Sequence, residues 1–323
     1  MKIDLLGAGR SPHVWKAPVF RSTASSSPET PEWDLPHHTD AVRRLRLAVA
    51  QSIVPEDPAD PALIRASGSQ IRTLMREAAA EGARLVQFPE GAIVYPDPDT
   101  MPQGDRGRVS WTDAAWVAIG EEEESIRLLA GELGLWVAFG TIRRLPTAES
   151  PRNSLMVVSD RGEIIARYDK RILSHTEATR LYSPGSEPVV FDIDGLRVGC
   201  VLCIEANFPE LFAQYEALDV DVVLLSVMVD DAARAVVAQA YGTLFNYWIG
   251  YSVPAQFGST APAGVIAPGG RWLARCPAED RPGLAVVDLD LDAADQDISI
   301  GLRLARPWRR LARVQSRKTG LIG

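Results

Sequence analysis

Short hydrophobic segments and helical periodicities alternate along most of this chain. Apolar runs of about four to eight residues, rich in Val, Ile and Leu, are typical of buried strands. Apolar residues at helical spacing predict helices over residues 63–81, 121–133, 209–218 and 232–244. The predicted strands cover residues 45–50, 85–88, 135–141, 154–159, 163–168, 188–193, 197–202, 221–227, 247–253, 263–267, 271–274 and 284–289.

The first predicted helix has a continuous apolar face, and Gly82 follows its end. The residues expected on its buried face are Leu63, Ile64, Ser67, Ile71, Leu74, Met75 and Ala78. Residues 91–120 are rich in Pro and Gly and are predicted to form a loop, which could form one wall of a site. Tyr95, Trp111 and Trp116 are its candidate lining residues, and for Trp116 we favour an anchoring role in the core.

Strands that alternate with helices predict an α/β sandwich, and no break in the pattern marks a second globular domain. Asp194-Gly195 predicts a hairpin turn between two of the strands. We divide the chain into an N-terminal Pro- and Ser-rich arm (1–43), one globular domain (44–313) and a short tail (314–323). The arm carries aromatic residues, which favours a docked segment over a disordered tail. These aromatic residues are Trp15, Phe20 and Trp33.

A cysteine stands where a buried strand is expected to turn into a helix. The strand ends at Leu202, Cys203 follows, and helical spacing resumes at Pro209. Free backbone N–H groups at such a corner favour an anion, so we expect a lowered thiol pKa and a nucleophilic Cys203. The alternative is a structural cysteine that is simply buried.

Two other predicted strands also end in charged side chains. Glu90 follows the strand 85–88 and stands between Pro89 and Gly91, whereas Lys170 follows the strand 163–168. Each residue could equally be a solvated charge at a strand end. In the order Glu, Lys, Cys, however, these residues resemble the catalytic triad of the nitrilase (carbon–nitrogen hydrolase) superfamily.

The resemblance covers roughly residues 45–313 and includes the segments between the three triad positions. It rests on Asn153-Ser154, Asp160-Arg161-Gly162, Tyr168-x-Lys170, Pro184-Gly185, Gly199 and Phe208-Pro209-Glu210. Within the superfamily, Cys203-Ile204-Glu205 and Ser252 to Gln256 look most similar to amidase-like members.

The resemblance implies a four-layer αββα sandwich that pairs into a homodimer or a higher homo-oligomer, with C-terminal segments such as residues 306–309 reaching across. It also implies a hydrolase, without a cofactor, that cleaves a small amide or carbamoyl compound. Cys203 would attack the carbon, Glu90 would transfer protons, and Lys170 would stabilise the oxyanion. The resemblance assigns Glu177 to positioning the lysine. The candidate oxyanion and substrate contacts are Ile204, Glu205, Tyr95, His175 and Asn207. Tyr95 is a candidate because it lies in the loop after Glu90, and His175 because it lies between Lys170 and Glu177.

Departures from the family pattern leave the substrate open. Glu205 favours nitrile chemistry, whereas Ile204 and Ala206 argue against it. Val253-Pro254 replaces a frequent Ala-Asn pair, which indicates an unusual substrate wall. Asp230-Asp231 could meet a cationic substrate, but a helix cap is the better interpretation. Two further alternatives are an acyl transferase that uses the same thioester and a non-catalytic binding protein.

Composition excludes several other classes of protein. The net charge of −8 and the absence of a long Lys/Arg cluster argue against a nucleic-acid partner. An arginine run near the C-terminus is expected to pair with the acidic body of the protein, and it comprises Arg303, Arg306, Arg309, Arg310 and Arg313. No apolar segment reaches the ~18 residues of a membrane span. Three cysteines without a secretory signal favour a reducing cytoplasm, and Cys200-x-x-Cys203 lacks a second pair of metal ligands.

Overall fold

The computed structural model describes residues 43–57, 60–99, 101, 103–104, 107–146 and 150–318. The predicted N-terminal arm therefore lies outside the described residues, apart from Arg43. The strands are β1 (Arg44–Gln51), β2 (Leu85–Gln87), β3 (Trp136–Arg143), β4 (Arg152–Val158), β5 (Ile164–Asp169), β6 (Val190–Ile193), β7 (Leu196–Leu202), β8 (Val222–Ser226), β9 (Trp248–Ser252), β10 (Gly264–Ile266), β11 (Trp272–Arg275) and β12 (Gly283–Asp290). They form two six-stranded sheets, in the orders β12-β1-β2-β3-β4-β5 and β11-β10-β9-β8-β7-β6.

Both sheets are mixed, with parallel strands at the centre. Strands β1, β2 and β3 run parallel in the first sheet, and β7, β8 and β9 run parallel in the second. Strands β6 and β7 form the predicted hairpin, and Asp194 and Gly195 both have positive φ at its turn. Residues that follow β2 in the first sheet and β7 in the second stand at the carboxyl ends of parallel strands, where the sites of α/β sheets are commonly built.

The alternation of side chains along β1 shows how the layers arise. Leu45, Leu47 and Val49 join the core cluster that contains the second sheet, whereas Ala48 and Ala50 join the cluster that contains α1 (Pro61–Ala80) and α2 (Asp113–Leu133). On the far side of the second sheet, α3 (Pro209–Ala217) and α4 (Ala232–Phe245) contribute their apolar residues to the first of these clusters. The layer order is helix, sheet, sheet, helix, which confirms the predicted α/β four-layer αββα sandwich.

Helix α2 begins eight residues earlier than the prediction of 121–133. Thr112 caps its N-terminus by accepting a hydrogen bond from Ala115 N at 3.1 Å, and the helix ends at Gly134 in the left-handed conformation. The expected loop is therefore shorter, and Gly120 lies inside the helix. In α1, the prediction that Leu63 is buried is wrong, because Leu63 is 41% exposed.

Buried polar side chains join the two sheets near the ends of β2 and β8. Gln87 Nε2 donates to Ser226 Oγ and to the carbonyl of Gly250, both at 3.1 Å. Ser226 Oγ donates to Phe88 O at 2.8 Å. Satisfied polar groups of this kind fix the relative position of the elements that they join, here the segment before Glu90 and the strand beside Cys203.

The C-terminal helix α5 (Arg306–Lys318) is attached to the body by arginines. Arg306 contacts Asp221 at 2.9 Å, and Arg309 contacts the fully buried Glu216 at 2.6 Å. Further contacts join Arg310 to Asp219 and Arg313 to Glu216. The expected pairing of the arginine run with an acidic surface is confirmed for these four residues, and α5 crosses the predicted domain boundary at 313. In the part of the chain that the structure describes, no helix has the length and apolar character needed to cross a membrane.

Candidate active site

Cys203 stands at a sharp corner directly after β7. Its φ is 43°, a left-handed conformation that is uncommon for a residue other than Gly and that often marks functional sites. A short 3₁₀ turn (Cys203–Asn207) separates it from α3. The thiol donates a weak hydrogen bond to Met228 O at 3.9 Å, and Cys203 as a whole residue is partly buried. The strand thus presents Cys203 at its end.

Glu90 follows β2 and is completely buried. Gly91 has a φ of 63°, which allows the chain to turn immediately after the carboxylate. Gly140 on β3 packs so closely that an added Cβ would lie 2.3 Å from Gly91 N and 2.4 Å from Pro89 O. Hydrogen bonds to Gly140 hold the segment on both sides, because Gly140 N donates to Pro89 O and Ile93 N donates to Gly140 O.

Lys170 follows β5 and places its ammonium between two buried carboxylates. Its Nζ lies 2.8 Å from Glu90 Oε1 and 2.6 Å from Glu177 Oε1. Asn153 Nδ2 donates to both carboxylates, at 2.8 Å to Glu90 and 3.4 Å to Glu177. Ser174 N donates to the second oxygen of Glu177 at 2.8 Å. The structure therefore joins Glu90, Lys170 and Glu177 in one hydrogen-bonded network.

Burial and charge together set the protonation of this network. Burial raises the pKa of Glu90, the Lys170 ammonium opposes that rise, and the neighbouring Glu177 adds to it. Burial disfavours the charged form of Lys170, but Glu90, Cys203 and Glu177 raise its pKa well above the usual lysine value. Lys170 consequently carries a positive charge at neutral pH, whereas Glu90 takes up a proton more readily than an exposed carboxylate.

The expectation of a lowered thiol pKa is wrong. Burial and the Glu90 carboxylate raise the pKa of Cys203 to about 12, and the Lys170 ammonium offsets only part of that rise. The 3₁₀ turn after Cys203 is too short to provide the helix N-terminus that the prediction invoked. Cys203 is thus a neutral thiol at rest, and a base has to remove its proton before it can act as a nucleophile.

Glu205 is fully buried and has protein donors at both carboxylate oxygens. Its Oε1 accepts from Arg171 N and Ile172 N, and its Oε2 accepts from Leu202 N and Tyr168 Oη. The predicted substrate contact does not fit this arrangement, because all four donors come from the protein itself.

The other predicted contacts differ in how close they come to the reacting groups. Tyr95 is partly buried, and burial together with the charge of Glu90 raises its pKa well above the usual tyrosine value. Ile204 is half-buried next to Cys203. His175 is exposed, and Asn207 is exposed and accepts a hydrogen bond from Arg234. Asp231 caps α4 through Ala233 N at 2.9 Å, as its capping interpretation predicted.

Sequence reasoning assigned no role to Asn153 or Ser174, although Asn153 belongs to the motif that carried the resemblance. Within the described ranges, no group of three or more His, Cys, Asp or Glu could hold a metal ion.

A cleft of about 530 Å³ lies between α2 and strands β3 to β5, and its lining includes Trp116, Glu123 and Arg167. Glu90, Lys170 and Cys203 do not line this cleft.

Comparison with known proteins places this arrangement in a family. A family model described as carbon–nitrogen hydrolase matches residues 63–298. The chain belongs to the carbon–nitrogen hydrolase family, part of the nitrilase superfamily. A hydrolase of Mycobacterium tuberculosis is 30% identical over 177 residues, which cover 53% of this chain and 56% of that protein. A deaminated glutathione amidase of Yersinia enterocolitica is 25% identical over 154 residues, which cover 44% of this chain and 50% of that enzyme.

The chain thus spans about half the length of the curated relatives it matches. Among solved structures, a mutant of the amidase from Nesterenkonia sp. AN1 superposes with a TM-score of 0.63 at 21% identity. The match covers 82% of this chain and 99% of that one, and acrylamide has added to the active-site cysteine of that protein. At this identity the likeness supports the fold.

Proposed function

We propose that this protein hydrolyses the C–N bond of a small amide or carbamoyl compound through a thioester on Cys203. The observation that carries the proposal is the Lys170 ammonium, which lies between the buried carboxylates of Glu90 and Glu177. The charges of the same network also act on the Cys203 thiol and shift its pKa. A cation, a base and a thiol, each beyond the end of its own strand, supply what amide cleavage needs.

The first half of the reaction forms the thioester. Glu90 accepts the thiol proton, Cys203 Sγ attacks the carbonyl carbon, and the carbonyl π electrons move onto oxygen. Lys170 Nζ and the N–H of Ile204 stabilise that oxyanion. The oxyanion then re-forms the carbonyl, the C–N bond breaks, and the departing nitrogen takes the proton from Glu90. Glu90 Oε2 suits this role because it is buried and no described protein donor contacts it.

The second half releases the acid. Glu90 accepts a proton from water, the resulting hydroxide oxygen attacks the thioester carbon, and the C–S bond breaks. The thiolate of Cys203 takes the proton back from Glu90. Glu177 holds the lysine in place throughout, since its Oε1 contacts Nζ and its Oε2 is fixed by Ser174 N.

The named relatives support an amide substrate, because amidases occur among both the curated proteins and the solved structures. An amine in place of water would convert the same thioester into a new amide, so hydrolysis and acyl transfer share the first half. The binding alternative lacks support, since the site keeps all members of the triad. Glu205 is the residue that favoured nitrile chemistry in the sequence. Both of its carboxylate oxygens accept hydrogen bonds from the protein, so it no longer favours a nitrile substrate.

A homodimer and a cytoplasmic location remain predictions. The exposed apolar surface of α5 is the feature that supports a homodimer, in which the partner is a second copy of this chain. Its inner face is attached by arginines, whereas Trp308 is 68% exposed and Leu311 and Val314 are exposed beside it. An apolar patch can pair with itself about a two-fold axis without complementary charges. The three free thiols suit a reducing compartment.

Ammonia release from a panel of small amides, carbamoyl compounds and nitriles tests the proposal. Cys203→Ala should abolish release, and Cys276→Ala is the matched control because Cys276 is buried near Val49, where it donates to the backbone at 3.8 Å. A competing amine in the assay separates hydrolysis from transfer. Release that persists in Cys203→Ala would refute the thioester route.

A further inference from the structure

Glu205 forms the direct link between the turn that carries the nucleophile and the loop that carries the lysine. On one side, its Oε2 accepts from Leu202 N at 2.8 Å, immediately before Cys203. On the other side, its Oε1 accepts from Arg171 N at 2.7 Å and from Ile172 N at 3.1 Å, immediately after Lys170. One side chain thus touches the backbone next to both reacting groups.

Tyr168 strengthens this link from the strand side. Its hydroxyl donates to Glu205 Oε2 at 2.7 Å and accepts from Arg171 Nε at 3.2 Å. The Arg171 guanidinium lies 5.6 Å from the centre of the Tyr168 ring. The buried negative charge of Glu205 is therefore met by three backbone donors, one hydroxyl and a nearby cation, which makes its desolvation tolerable.

We propose that Glu205 is a positioning residue that sets the distance between Cys203 and Lys170, and that its carboxylate form is required for this. The inference rests on the proposed function, because the distance matters only if both groups act on one substrate carbon. Only a group that accepts at both oxygens can satisfy these donors. An amide in its place offers one accepting oxygen and turns an NH₂ group towards Leu202 N or Arg171 N, where donor would face donor.

A small change in this distance has a large effect on the reaction. A misplacement on the order of 1 Å can cost about a hundredfold in rate. Glu205→Gln should therefore lower kcat by about 10- to 100-fold, with KM changed by less than about threefold. A residue that bound substrate would mainly raise KM, so the division between kcat and KM separates the two roles.

The matched control is Glu216→Gln. Glu216 is another fully buried carboxylate, yet it contacts Arg309 and Arg313 of α5 instead of the catalytic loops. It should lower thermal stability while leaving kcat within about twofold of the wild type. Glu205→Asp, which keeps the charge on a shorter side chain, should retain more activity than Glu205→Gln.

Covalent labelling by acrylamide provides a test that does not need a turnover substrate. In this addition the Sγ–Cβ bond forms and the thiol proton ends on the acrylamide α-carbon, while the amide oxygen faces Lys170. Glu205→Gln should slow adduct formation at Cys203 by about 10-fold or more relative to Glu216→Gln. Hydrogen exchange should also quicken at the amides of Arg171 and Ile172. An inactive wild type would refute the proposed hydrolysis alone, and these two readouts would still decide the role of Glu205.

A lower kcat in Glu205→Gln with normal kcat in Glu216→Gln supports the inference. A kcat within about twofold of the wild type in Glu205→Gln, or equal losses in both variants, overturns it. If Glu205→Gln does not fold, Tyr168→Phe decides, because it removes one donor to Glu205 and keeps the ring. It should lower kcat by about 3- to 10-fold, and an unchanged kcat overturns the inference.

Discussion

Replacing Lys170 by Met tests the central electrostatic feature of the site. Lys170 is 1% exposed, and its Nζ contacts Glu90 at 2.8 Å and Glu177 at 2.6 Å. Met keeps most of the volume of the side chain but removes the cation. Both carboxylates would then remain buried without the charge that offsets their desolvation.

The expected loss of unfolding free energy is large and depends on pH. Removing one partner of a buried ion pair costs about 3–5 kcal/mol, because an uncompensated charge stays in the interior. Burial raises the pKa of Glu90, whereas the Lys170 ammonium lowers it. Removing the ammonium therefore raises the Glu90 pKa further. A carboxyl group whose pKa is higher in the folded state than in the unfolded state keeps a proton that the unfolded chain has already lost. The free energy of unfolding therefore falls as pH increases through that range. The loss is therefore greatest near neutral pH and above, and it shrinks as Glu90 is protonated.

Urea unfolding of both proteins at about pH 8 and about pH 5 measures this effect. We expect a loss of about 3–5 kcal/mol at the higher pH, reduced by at least about 1.4 kcal/mol at the lower. Arg65→Met is the control, because the pair of Arg65 with Glu121 is 2.8 Å long but about half exposed. It should cost less than about 1 kcal/mol at either pH. A Lys170→Met loss below about 1 kcal/mol, or one that is equal at both pH values, would refute the reasoning.

Three further predictions concern the base and the backbone that holds it. Glu90→Gln should lower kcat by about 10²- to 10⁴-fold in the amide assay, since it removes the proton acceptor. Asn153 donates to Glu90 at 2.8 Å and so lowers its pKa. Asn153→Leu should therefore move the acidic limb of the kcat/KM profile to higher pH, and an unmoved limb would exclude Glu90 as the group that titrates. Gly140→Ala would place a Cβ 2.3 Å from Gly91 N. It should cost about 1–3 kcal/mol in thermal unfolding and also lower kcat, whereas wild-type kcat in that variant would show that the segment can shift without harm.

The positions of Glu90, Lys170 and Cys203 at strand ends could be predicted because each follows a strand that its own sequence defines. Hydrophobic runs locate β2, β5 and β7, and the charged or thiol residue comes within three positions of the end of each. Because β2 and β5 belong to one sheet and β7 to the other, the common site followed from the resemblance of the Glu, Lys, Cys order and not from the strand pattern alone. The hairpin turn at Asp194-Gly195 was predictable for the same local reason, since both residues tolerate positive φ.

Features that depend on tertiary packing could not be predicted. The early start of α2 was missed because Gly120 and the preceding prolines suggest a loop, whereas Ala115, Ala118 and Ile119 are buried. The thiol pKa of Cys203 depends on burial and on Glu90, which the strand-to-helix pattern does not show. The donors to Glu205 come from residues 33 or more positions away as well as from Leu202, so its sequence neighbours suggested a substrate contact instead.

Mass spectrometry of the covalent intermediate tests the central claim most directly. Wild-type protein mixed with a small amide that it turns over and quenched in acid should carry an acyl group on the peptide that contains Cys203. The adduct should be absent in Cys203→Ala and should appear at the rate of ammonia release. Turnover without any adduct at Cys203, or an adduct on Cys200 or Cys276 instead, would contradict the account.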